Sequence, residues 1–571
     1  MNRTKGEMMK SLTREYLGML DPDNLPDPLE IEQEIVNRVK GAFAAENQVR
    51  EKGDRWPLPQ VLDFAQLADI LLTLYPIRKI SRSNQSHEYD LLAIYESEGP
   101  KAGIYNTDQD RLYRLACEYR YSLTENEFEE VLHILNVEAK QINRCLDKNL
   151  IAVNNGIFNY KTKELLPFTP DLAFLTKSGV DYNPNAKCVN IHNDLDDTDW
   201  DIESWFSSLS DDPDIVTLLW QITGAIIRPN NRWNKSAWLY STVGNNGKGT
   251  LCELLRNLCG NDAYAAIPIA DFSKEFLLEP LTRASAVIVD ENDVGQYIDR
   301  AANLKAVITN DVIWINRKFK QPVAYQFYGF MVQCLNELPR IRDKSDSFYR
   351  RQIFVPFEKT FTGVERKYIK DDYLSRKEVL EYVLYKVLNM DYEVLSEPES
   401  CKNLLSEYKE FNDPVRQFWN ELSPSFVWDL LPFNFLYELY MKWYKINNPE
   451  GKPQAKATFI TDIVSVMNPD KDNPEWIFKG RDHKVRTKHL MDVPETLIFE
   501  YGLDNWKNKL YAGNDVNKIV DFIRSDSYRG IVRYIPGVTD KDLDDTDTNT
   551  TTTKTTDTTT TTIDEGDTDG T

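Results

Sequence analysis

A glycine-rich turn between an apolar run and an amphipathic run constrains the fold of this chain most strongly. Residues 236–240 are apolar, and leucines at helical spacing follow the turn from position 251 onward. This pattern predicts a strand, a tight loop and a helix. Glycines let backbone N–H groups converge on an anion at the helix N-terminus, and a lysine adds positive charge. The residues predicted to bind a triphosphate are Gly244, Asn245, Asn246, Gly247, Lys248, Gly249 and Thr250.

The loop departs from the strict phosphate-loop pattern at two positions. That pattern has a glycine six residues before the lysine and a serine or threonine directly after it. Here Thr242 and Gly249 occupy those positions, so Thr250 is the nearest hydroxyl and the predicted water-mediated ligand of Mg²⁺. The alternative interpretation is a glycine-rich turn with a surface lysine.

Two apolar runs end in polar residues of the kind that handle phosphate and water. Residues 286–289 predict a buried strand of a parallel sheet whose carboxyl end faces the loop. One of the carboxylates of Asp290 and Glu291 is predicted to hold hydrated Mg²⁺ and the other to polarise the attacking water. Asn336 ends a second run, and its amide suits the γ-phosphate or the lytic water. Alternatively, these are ordinary strand ends, and Asn336 only favours a turn.

Basic residues occur at two further places. A predicted hairpin has strands beginning at Val312 and Val323, and Asn310 can adopt the left-handed turn before it. The residues of its tip are predicted to contact DNA through phosphates and one stacked base. They are Arg317, Lys318, Phe319 and Lys320. Arg350 and Arg351 precede another strand, and one guanidinium could act on a neighbouring subunit's phosphoryl group. The alternatives are a solvated hairpin tip and a surface cation pair.

Composition limits the class of protein. The net charge of −22 argues against nonspecific coating of nucleic acid, but it permits local basic loops. Residues 540–571 hold ten acids and two lysines, which predicts an acidic, threonine-rich disordered tail. Seven scattered cysteines without a Cys-x-x-Cys pair predict reduced thiols and no recognisable zinc site. The N-terminus lacks a signal-peptide core, and the run 215–227 is too short to span a bilayer. We therefore expect a soluble protein of a bacterial host's cytoplasm.

The order of patterns predicts an α/β protein with several regions. A mostly helical N-terminal region is followed by a strand-hairpin and helical collar, an ATPase core, a helical connector, a DNA-binding module and the tail. Their predicted bounds are 1–148, 149–234, 235–358, 359–410, 411–537 and 538–571.

The predicted DNA-binding module has three helices and then a basic segment. Residues 476–489 carry a net charge of +4, and we interpret them as a strand pair. Three helices with such a pair predict a winged-helix-like domain, with 455–467 as recognition helix and 479–488 as wing. The candidate DNA contacts are Lys479, Arg481, Lys484, Arg486 and Lys488. The alternative is a solvated basic hairpin on a packing domain.

Taken in order, the motifs between about 149 and 358 resemble superfamily-3 helicases of the phage and plasmid primase–helicase type, which are similar to poxvirus replicative ATPases. The resemblance includes Ala152–Phe158 and Asp181–Pro184 upstream. It implies a P-loop AAA+-like core that uses ATP and Mg²⁺. It also implies a homo-oligomeric ring, usually a hexamer, that moves 3′→5′ on single-stranded DNA and unwinds duplex DNA during replication.

Within this resemblance, Lys248 holds the β- and γ-phosphates, Asn336 is the polar sensor, and Arg351 or Arg350 is the finger. Residues 1–148 show no primase pattern, so we expect no primer synthesis by this chain and a possible separate primase or replication initiator as partner. Two other functions are open: an origin-binding scaffold that binds nucleotide without unwinding, and a P-loop phosphotransferase acting on a small molecule.

Overall fold

The computed structural model describes residues 4–22, 24–81, 90–293, 297–298, 300–318, 320–447, 449, 452–468, 474–487, 489–520 and 525–534. The chain divides into two compact units between Asn412 and Asp413. Phe319, Lys488 and the predicted tail lie outside the described residues, as does the side chain of Lys320.

The N-terminal region combines helices with a small mixed sheet. The helices are α1 (Lys5–Leu17), α2 (Pro28–Asn47), α3 (Phe64–Leu74), α4 (Gln109–Tyr119) and α5 (Glu125–Glu138). The strands are β1 (Ile77–Ile80), β2 (Leu91–Tyr95), β3 (Tyr105–Asn106) and β4 (Lys140–Ile142), in the order β3-β2-β1-β4. The sequence analysis predicted the helices and missed the sheet, because its strands are short and nonadjacent strands β1 and β4 pair in parallel.

Short strands and two helices precede the central sheet. They are β5 (Leu150–Val153), β6 (Gly156–Asn159), β7 (Glu164–Leu166), β8 (Ile191–Asn193), β9 (Thr198–Trp200), α6 (Ile202–Ser208) and α7 (Pro213–Ile227). Helix α7 contains the apolar run 215–227, and Asp212 caps it by accepting from the Asp214 N–H. In the part of the chain that the structure describes, no helix is long and apolar enough to span a membrane.

Five parallel strands form the central sheet of the first unit. They are β10 (Ser236–Tyr240), β11 (Tyr264–Ala265), β12 (Ala286–Val289), β16 (Phe330–Leu335) and β18 (Gln352–Pro356), in the order β11-β12-β16-β10-β18. Because successive side chains point to opposite faces, Leu239 packs with α7 and α8 (Lys248–Cys259), whereas Trp238 packs on the other face. Strand β16 therefore lies between β10 and β12, and all three end at one edge of the sheet.

The remaining elements of this unit surround the sheet. They are β13 (Tyr297–Ile298), α9 (Ala302–Ile308), β14 (Val312–Arg317), β15 (Lys320–Gln326), β17 (Arg340–Ile341), α10 (Asp346–Tyr349), α11 (Lys367–Asp371), α12 (Lys377–Asn389) and α13 (Glu399–Asn412). Strands β14 and β15 pair antiparallel, which confirms the predicted hairpin. Asn310 has φ +55°, as expected, and its amide donates to the Phe327 carbonyl at 2.8 Å.

The second unit packs helices against a three-stranded antiparallel sheet. Its elements are α14 (Pro414–Leu422), β19 (Leu430–Pro432), α15 (Phe433–Asn447), α16 (Lys456–Val466), β20 (Trp476–Ile477), β21 (Val485–Arg486), α17 (Leu497–Glu500), α18 (Val516–Ile519), β22 (Ser527–Tyr528) and β23 (Gly530–Arg533). The sheet order is β19-β23-β20.

The predicted pairing of residues 476–489 with themselves was wrong. Strand β20 pairs with β23, and β21 pairs with β22. The apolar core explains why β20 pairs with β23. Trp476 of β20 and Ile531 of β23 are both buried in the cluster that α14, α15 and α16 cover. The basic residues between β20 and β21 therefore lie in a connection between two strand pairs.

Candidate functional site

Positive φ angles and the hydrogen bonds of an asparagine side chain shape the turn between β10 and α8. Gly247 caps α8 with φ +88°, and Asn245 also has a positive φ of +52°. The Asn246 side chain donates to the Val243 carbonyl and accepts the Lys248 N–H at 3.2 Å. The Lys248 N–H is thus satisfied by Asn246, whereas the N–H groups of Gly249 and Thr250 have no partners within the helix and can face an anion. The predicted strand, loop and helix are confirmed.

Lys248 is buried at the start of α8. Its Nζ lies 3.4 Å from the Ser241 carbonyl oxygen, and only 5% of the residue is exposed. Burial lowers the pKa of the Lys248 ammonium, although the Asp290 carboxylate opposes that shift through its charge. A buried ammonium with one weak acceptor is suited to an incoming polyanion.

Asp290 follows β12 and reaches the helix that begins at Lys248. A Cβ atom placed on Gly249 would lie 2.8 Å from one Asp290 carboxylate oxygen and 3.0 Å from the other. The missing side chain at position 249 therefore lets the carboxylate approach α8. Thr250, the next residue on α8, is half-buried and lines the cavity described below. Glu291, which follows Asp290, is exposed.

Asn336 follows β16 at the same edge of the sheet. The Ser241 N–H donates to the Leu335 carbonyl at 3.2 Å, so the residue before Asn336 is bonded to the start of the glycine-rich turn. Asn336 is exposed. The carboxyl ends of three parallel strands thus bring together Lys248, Asp290 and Asn336, which are separated by up to 88 positions along the chain.

A cavity of about 970 Å³ adjoins the turn. Its walls come from the turn and from residues 199–208 and 361–371. The polar part of the lining includes Asn245, Asn246, Gly247, Gly249, Thr250, Arg366, Lys367 and Lys370, and the aromatic part includes Trp200, Trp205 and Phe361. The lining also contains the acidic residues Asp199, Asp201, Glu365 and Asp371. Aromatic rings and cations in one cavity suit a ring-bearing phosphate ligand.

The sequence analysis missed the contribution of segment 361–371, which it placed in a helical connector. The Phe361 N–H donates to the Asn245 carbonyl at 2.7 Å, and Asn245 Nδ2 donates to Glu365 Oε1 at 2.7 Å. Lys370 Nζ lies 3.9 Å from Asp290 Oδ2. The cluster of Arg366, Lys367 and Lys370 was a signal in the sequence, but its proximity to the turn arises only on folding.

Asn292 was also missed. Its buried side chain accepts the Ile269 N–H at 2.9 Å and donates to Gln333 Oε1 and to the Cys334 carbonyl, both at 3.0 Å. These bonds join the exit of β12 to β16, so Asn292 positions the segment that carries Asp290.

The two arginines before β18 differ in their surroundings. The Arg351 guanidinium donates to the Ser347 carbonyl and, at 2.8 Å, to Ser347 Oγ. Arg350 is exposed. Both lie at the amino end of β18, whereas Lys248 follows the carboxyl end of the neighbouring strand β10. They therefore lie away from their own chain's turn.

The hairpin places basic groups near its tip. Arg317 donates to the Gln321 carbonyl through Nε at 3.2 Å and Nη2 at 3.0 Å, which braces the turn, and Lys318 is exposed. Trp314, which the sequence analysis did not single out, is 64% exposed on β14.

In the second unit, the basic residues lie close to the predicted recognition helix at one point. The Arg481 guanidinium donates to Thr461 Oγ1 on α16. Lys484 is exposed, and Lys479 and Arg486 are half-buried.

Three segments of the chain match family profiles. Residues 239–351 match a Family of unknown function (DUF5906), residues 410–502 match Poxvirus D5 protein-like, and residues 52–200 match D5 N terminal like. The segments that precede and follow the central sheet in the sequence are therefore similar to D5-like proteins. No match was found among curated proteins.

Among solved structures, the chain is similar to the apo C-terminal region of NrS-1 in several forms. The A form of its residues 305–718 has a TM-score of 0.38 at 16% identity and covers 68% of this chain and 94% of that one. A second A form has a TM-score of 0.37 at 13% identity, covering 77% and 91%. A further apo structure gives 0.37 at 14%, covering 69% and 96%. These TM-scores are too low for the site geometry of those structures to be transferred to this chain.

Proposed function

We propose that this protein is an ATP-dependent DNA helicase of the superfamily-3 type, with an AAA+-like core that acts in replication of a phage or mobile element. The observation that carries the proposal is the meeting of Lys248, Asp290 and Asn336 at one edge of a parallel sheet, beside a cavity of about 970 Å³. That volume accommodates a nucleotide. The similarity of two segments to D5-like proteins agrees with this assignment.

Each side chain then has a role that its position permits. Lys248 and the N–H groups of α8 bind the β- and γ-phosphates, while the aromatic wall holds the base. Thr250 and Asp290 hold hydrated Mg²⁺, which neutralises charge on the phosphate oxygens when bound. Glu291 orients the attacking water, and Asn336 contacts the γ-phosphate. The carboxylate next to Gly249 fits this metal, because an exposed oxygen ligand lies beside the anion-binding turn.

Two surfaces are proposed to bind DNA. The β14–β15 hairpin carries Arg317 and Lys318 together with the exposed ring of Trp314, a combination that suits a single strand. For the second unit we propose a winged-helix-like domain, in which α16 is the recognition helix beside the sheet β19-β23-β20. We propose that Lys479, Arg481, Lys484, Arg486 and Lys488 contact duplex phosphates.

The test is strand displacement on 3′- and 5′-tailed duplexes together with DNA-stimulated ATP hydrolysis. We expect Lys248→Ala and Asp290→Asn each to lower the hydrolysis rate at least about a hundredfold, because each removes a preorganised charge at the reacting phosphate. Strand displacement should be lost in parallel. The control is Lys402→Ala, which removes an exposed lysine paired only with Glu399 in the same unit.

Hydrolysis that Lys248→Ala leaves unchanged would contradict the assignment of this site. ATP binding without hydrolysis or strand displacement in the wild-type protein would favour the origin-binding scaffold instead. DNA-independent transfer of phosphate to a small molecule would favour the phosphotransferase.

A further inference from the structure

Two buried thiols lie under the glycine-rich turn. Cys252 is on α8, one turn after Lys248, and Cys334 is on β16, two residues before Asn336. Neither has more than 1% of its surface exposed, and their Sγ atoms are 3.3 Å apart. They are separated by 82 positions in the sequence, so their spacing gives no sign of a shared site.

Asp290 completes a group of three potential metal ligands. One of its carboxylate oxygens and the two sulfur atoms all lie within 4.8 Å of one another. Among the residues that the structure describes, this is the one group of three or more His, Cys, Asp or Glu side chains with that geometry. Its members lie on α8, directly after β12 and on β16, which are also the places that carry the proposed catalytic groups.

The group fits a thiophilic cation better than Mg²⁺. Zn–S bonds of about 2.3 Å and Zn–O bonds of about 2.0–2.2 Å place the ligand atoms of a tetrahedral shell about 3.5–3.8 Å apart. The two sulfurs already approach that separation, and Asp290 needs only a small side-chain adjustment. Sulfur ligands favour Zn²⁺ or Cd²⁺, whereas Mg²⁺ prefers oxygen.

Charge and access also agree with such a cation. Two thiolates and a carboxylate bring three negative charges, which offset both the divalent ion and the adjacent Lys248 ammonium. The two thiol protons leave to solvent on binding. The Asp290 side chain is 34% exposed, so the group can be reached from its side although the sulfurs are buried.

We propose that Cys252, Cys334 and Asp290 form an inhibitory site for a thiophilic divalent cation such as Zn²⁺. Occupancy takes Asp290 away from the triphosphate and ties the first turns of α8 to β12 and β16. Binding itself stands on the geometry alone, whereas inhibition rests on the proposed function, since it requires that the site hydrolyse ATP.

Equilibrium dialysis of the reduced, full-length protein against Zn²⁺ tests the binding. We expect one tightly bound ion per chain. Cys252→Ala and Cys334→Ala should each weaken it at least about tenfold, since losing even a group that only orients a ligand costs that much. The matched control is Cys259→Ala, which removes a buried thiol from the same helix outside the group. Equal affinity in all four proteins would overturn the site.

X-ray absorption of wild-type protein loaded with one equivalent of Zn²⁺ tests the same point without a variant. Two sulfur neighbours with oxygen in the remaining positions are expected. A shell of oxygen and nitrogen alone, or one of four sulfurs, would overturn the proposal even if the alanine variants failed to fold.

Inhibition is tested by titrating Zn²⁺ into the ATPase reaction at fixed excess Mg²⁺. The wild-type protein and Cys259→Ala should lose activity with equal midpoints, and Cys252→Ala should need at least about ten times more Zn²⁺. Zinc that binds at the two cysteines without slowing hydrolysis would refute the inhibitory role and leave the binding intact. A wild-type protein that binds zinc but has no ATPase activity would instead count against the proposed function.

Discussion

Gly249 occupies the position at which phosphate loops most often carry a hydroxyl. The nearby Asp290 carboxylate explains why glycine is suited to this position. A Cβ atom there would approach both carboxylate oxygens of Asp290 to within 3.0 Å. A serine or threonine at position 249 would therefore displace Asp290. We infer that the chain uses the next residue, Thr250, as the hydroxyl because the carboxylate occupies the space beside Gly249.

A buried carboxyl group in the second unit makes stability depend on pH. Glu495 is fully buried, and its Oε2 accepts the N–H groups of Val427 at 2.8 Å and Trp428 at 3.1 Å. Burial raises the pKa of Glu495 above its ordinary value. The folded state thus holds this proton more tightly than the unfolded chain. The contribution of Glu495 to the free energy of unfolding decreases as pH rises from the ordinary glutamate range through the raised pKa.

We expect Glu495→Gln to remove this pH dependence, because glutamine keeps an acceptor oxygen and does not titrate. Glu495→Ala should destabilise the unit by about 1–3 kcal/mol, since the N–H groups of Val427 and Trp428 lose their acceptor and the second of these is buried. Urea unfolding followed by tryptophan fluorescence, from mildly acidic to neutral pH, measures both effects. The control Glu475→Gln changes an exposed carboxylate of the same unit. A wild-type slope that persists in Glu495→Gln would contradict the assignment.

The β14–β15 hairpin has one buried face and one exposed face. Ile313 and Ile315 are buried on one side of β14, and Trp314 between them is exposed on the other. This alternation follows from the two-residue period of a strand. The buried side anchors the hairpin in the core, which leaves Trp314 and Lys318 on the exposed surface that we propose to bind DNA.

The two exposed hairpin residues should affect DNA binding differently. Lys318→Ala is expected to reduce the slope of log affinity against log salt by about 0.7, as the loss of one phosphate contact with a single strand does. Trp314→Ala should instead cost about 1–3 kcal/mol of affinity with little change in that slope, because stacking releases no counterions. Fluorescence anisotropy of labelled single-stranded DNA across a salt series measures both, with Lys402→Ala as the control. Wild-type affinity and slope in both variants would exclude the hairpin from the DNA surface.

At the scale of the whole molecule, the proposed arginine finger can act only on the site of a second copy of the chain. Arg350 lies before the amino end of β18, and Lys248 follows the carboxyl end of the parallel neighbour β10. Five residues at about 3.3 Å each put about 16 Å between these edges. Arg350 therefore cannot serve the turn of its own chain. Arg350 is the better candidate for the arginine finger, because it is exposed. The Arg351 guanidinium is instead hydrogen-bonded to Ser347.

Mixing inactive subunits tests this arrangement. Arg350→Ala and Lys248→Ala proteins should each be nearly inactive, but an equal mixture should recover up to about a quarter of the wild-type ATPase rate. About one interface in four then joins an intact turn to an intact arginine, if subunits associate at random in a closed ring. Mixing Arg351→Ala with Lys248→Ala is the comparison. No recovery in either mixture would show that the site is confined to single chains.

Local patterns were enough to predict the elements that carry the candidate site. The strand before the turn, helix α8, strand β12 ahead of Asp290 and the hairpin were all predicted from periodicity, and the structure confirms them. Each depends on residues close in sequence, where apolar spacing and glycine content specify the backbone. The roles in hydrolysis and DNA binding remain predictions.

What tertiary structure alone decided were the contacts between distant segments. The aromatic and basic walls of the cavity, the pairing of β20 with β23 and the thiol pair of Cys252 and Cys334 join residues tens of positions apart. No periodic pattern encodes these contacts, because they depend on which faces the packed core brings together. The sequence by itself determined which chemical groups stand at the strand ends, and the order of strands in the sheet decided which of them meet.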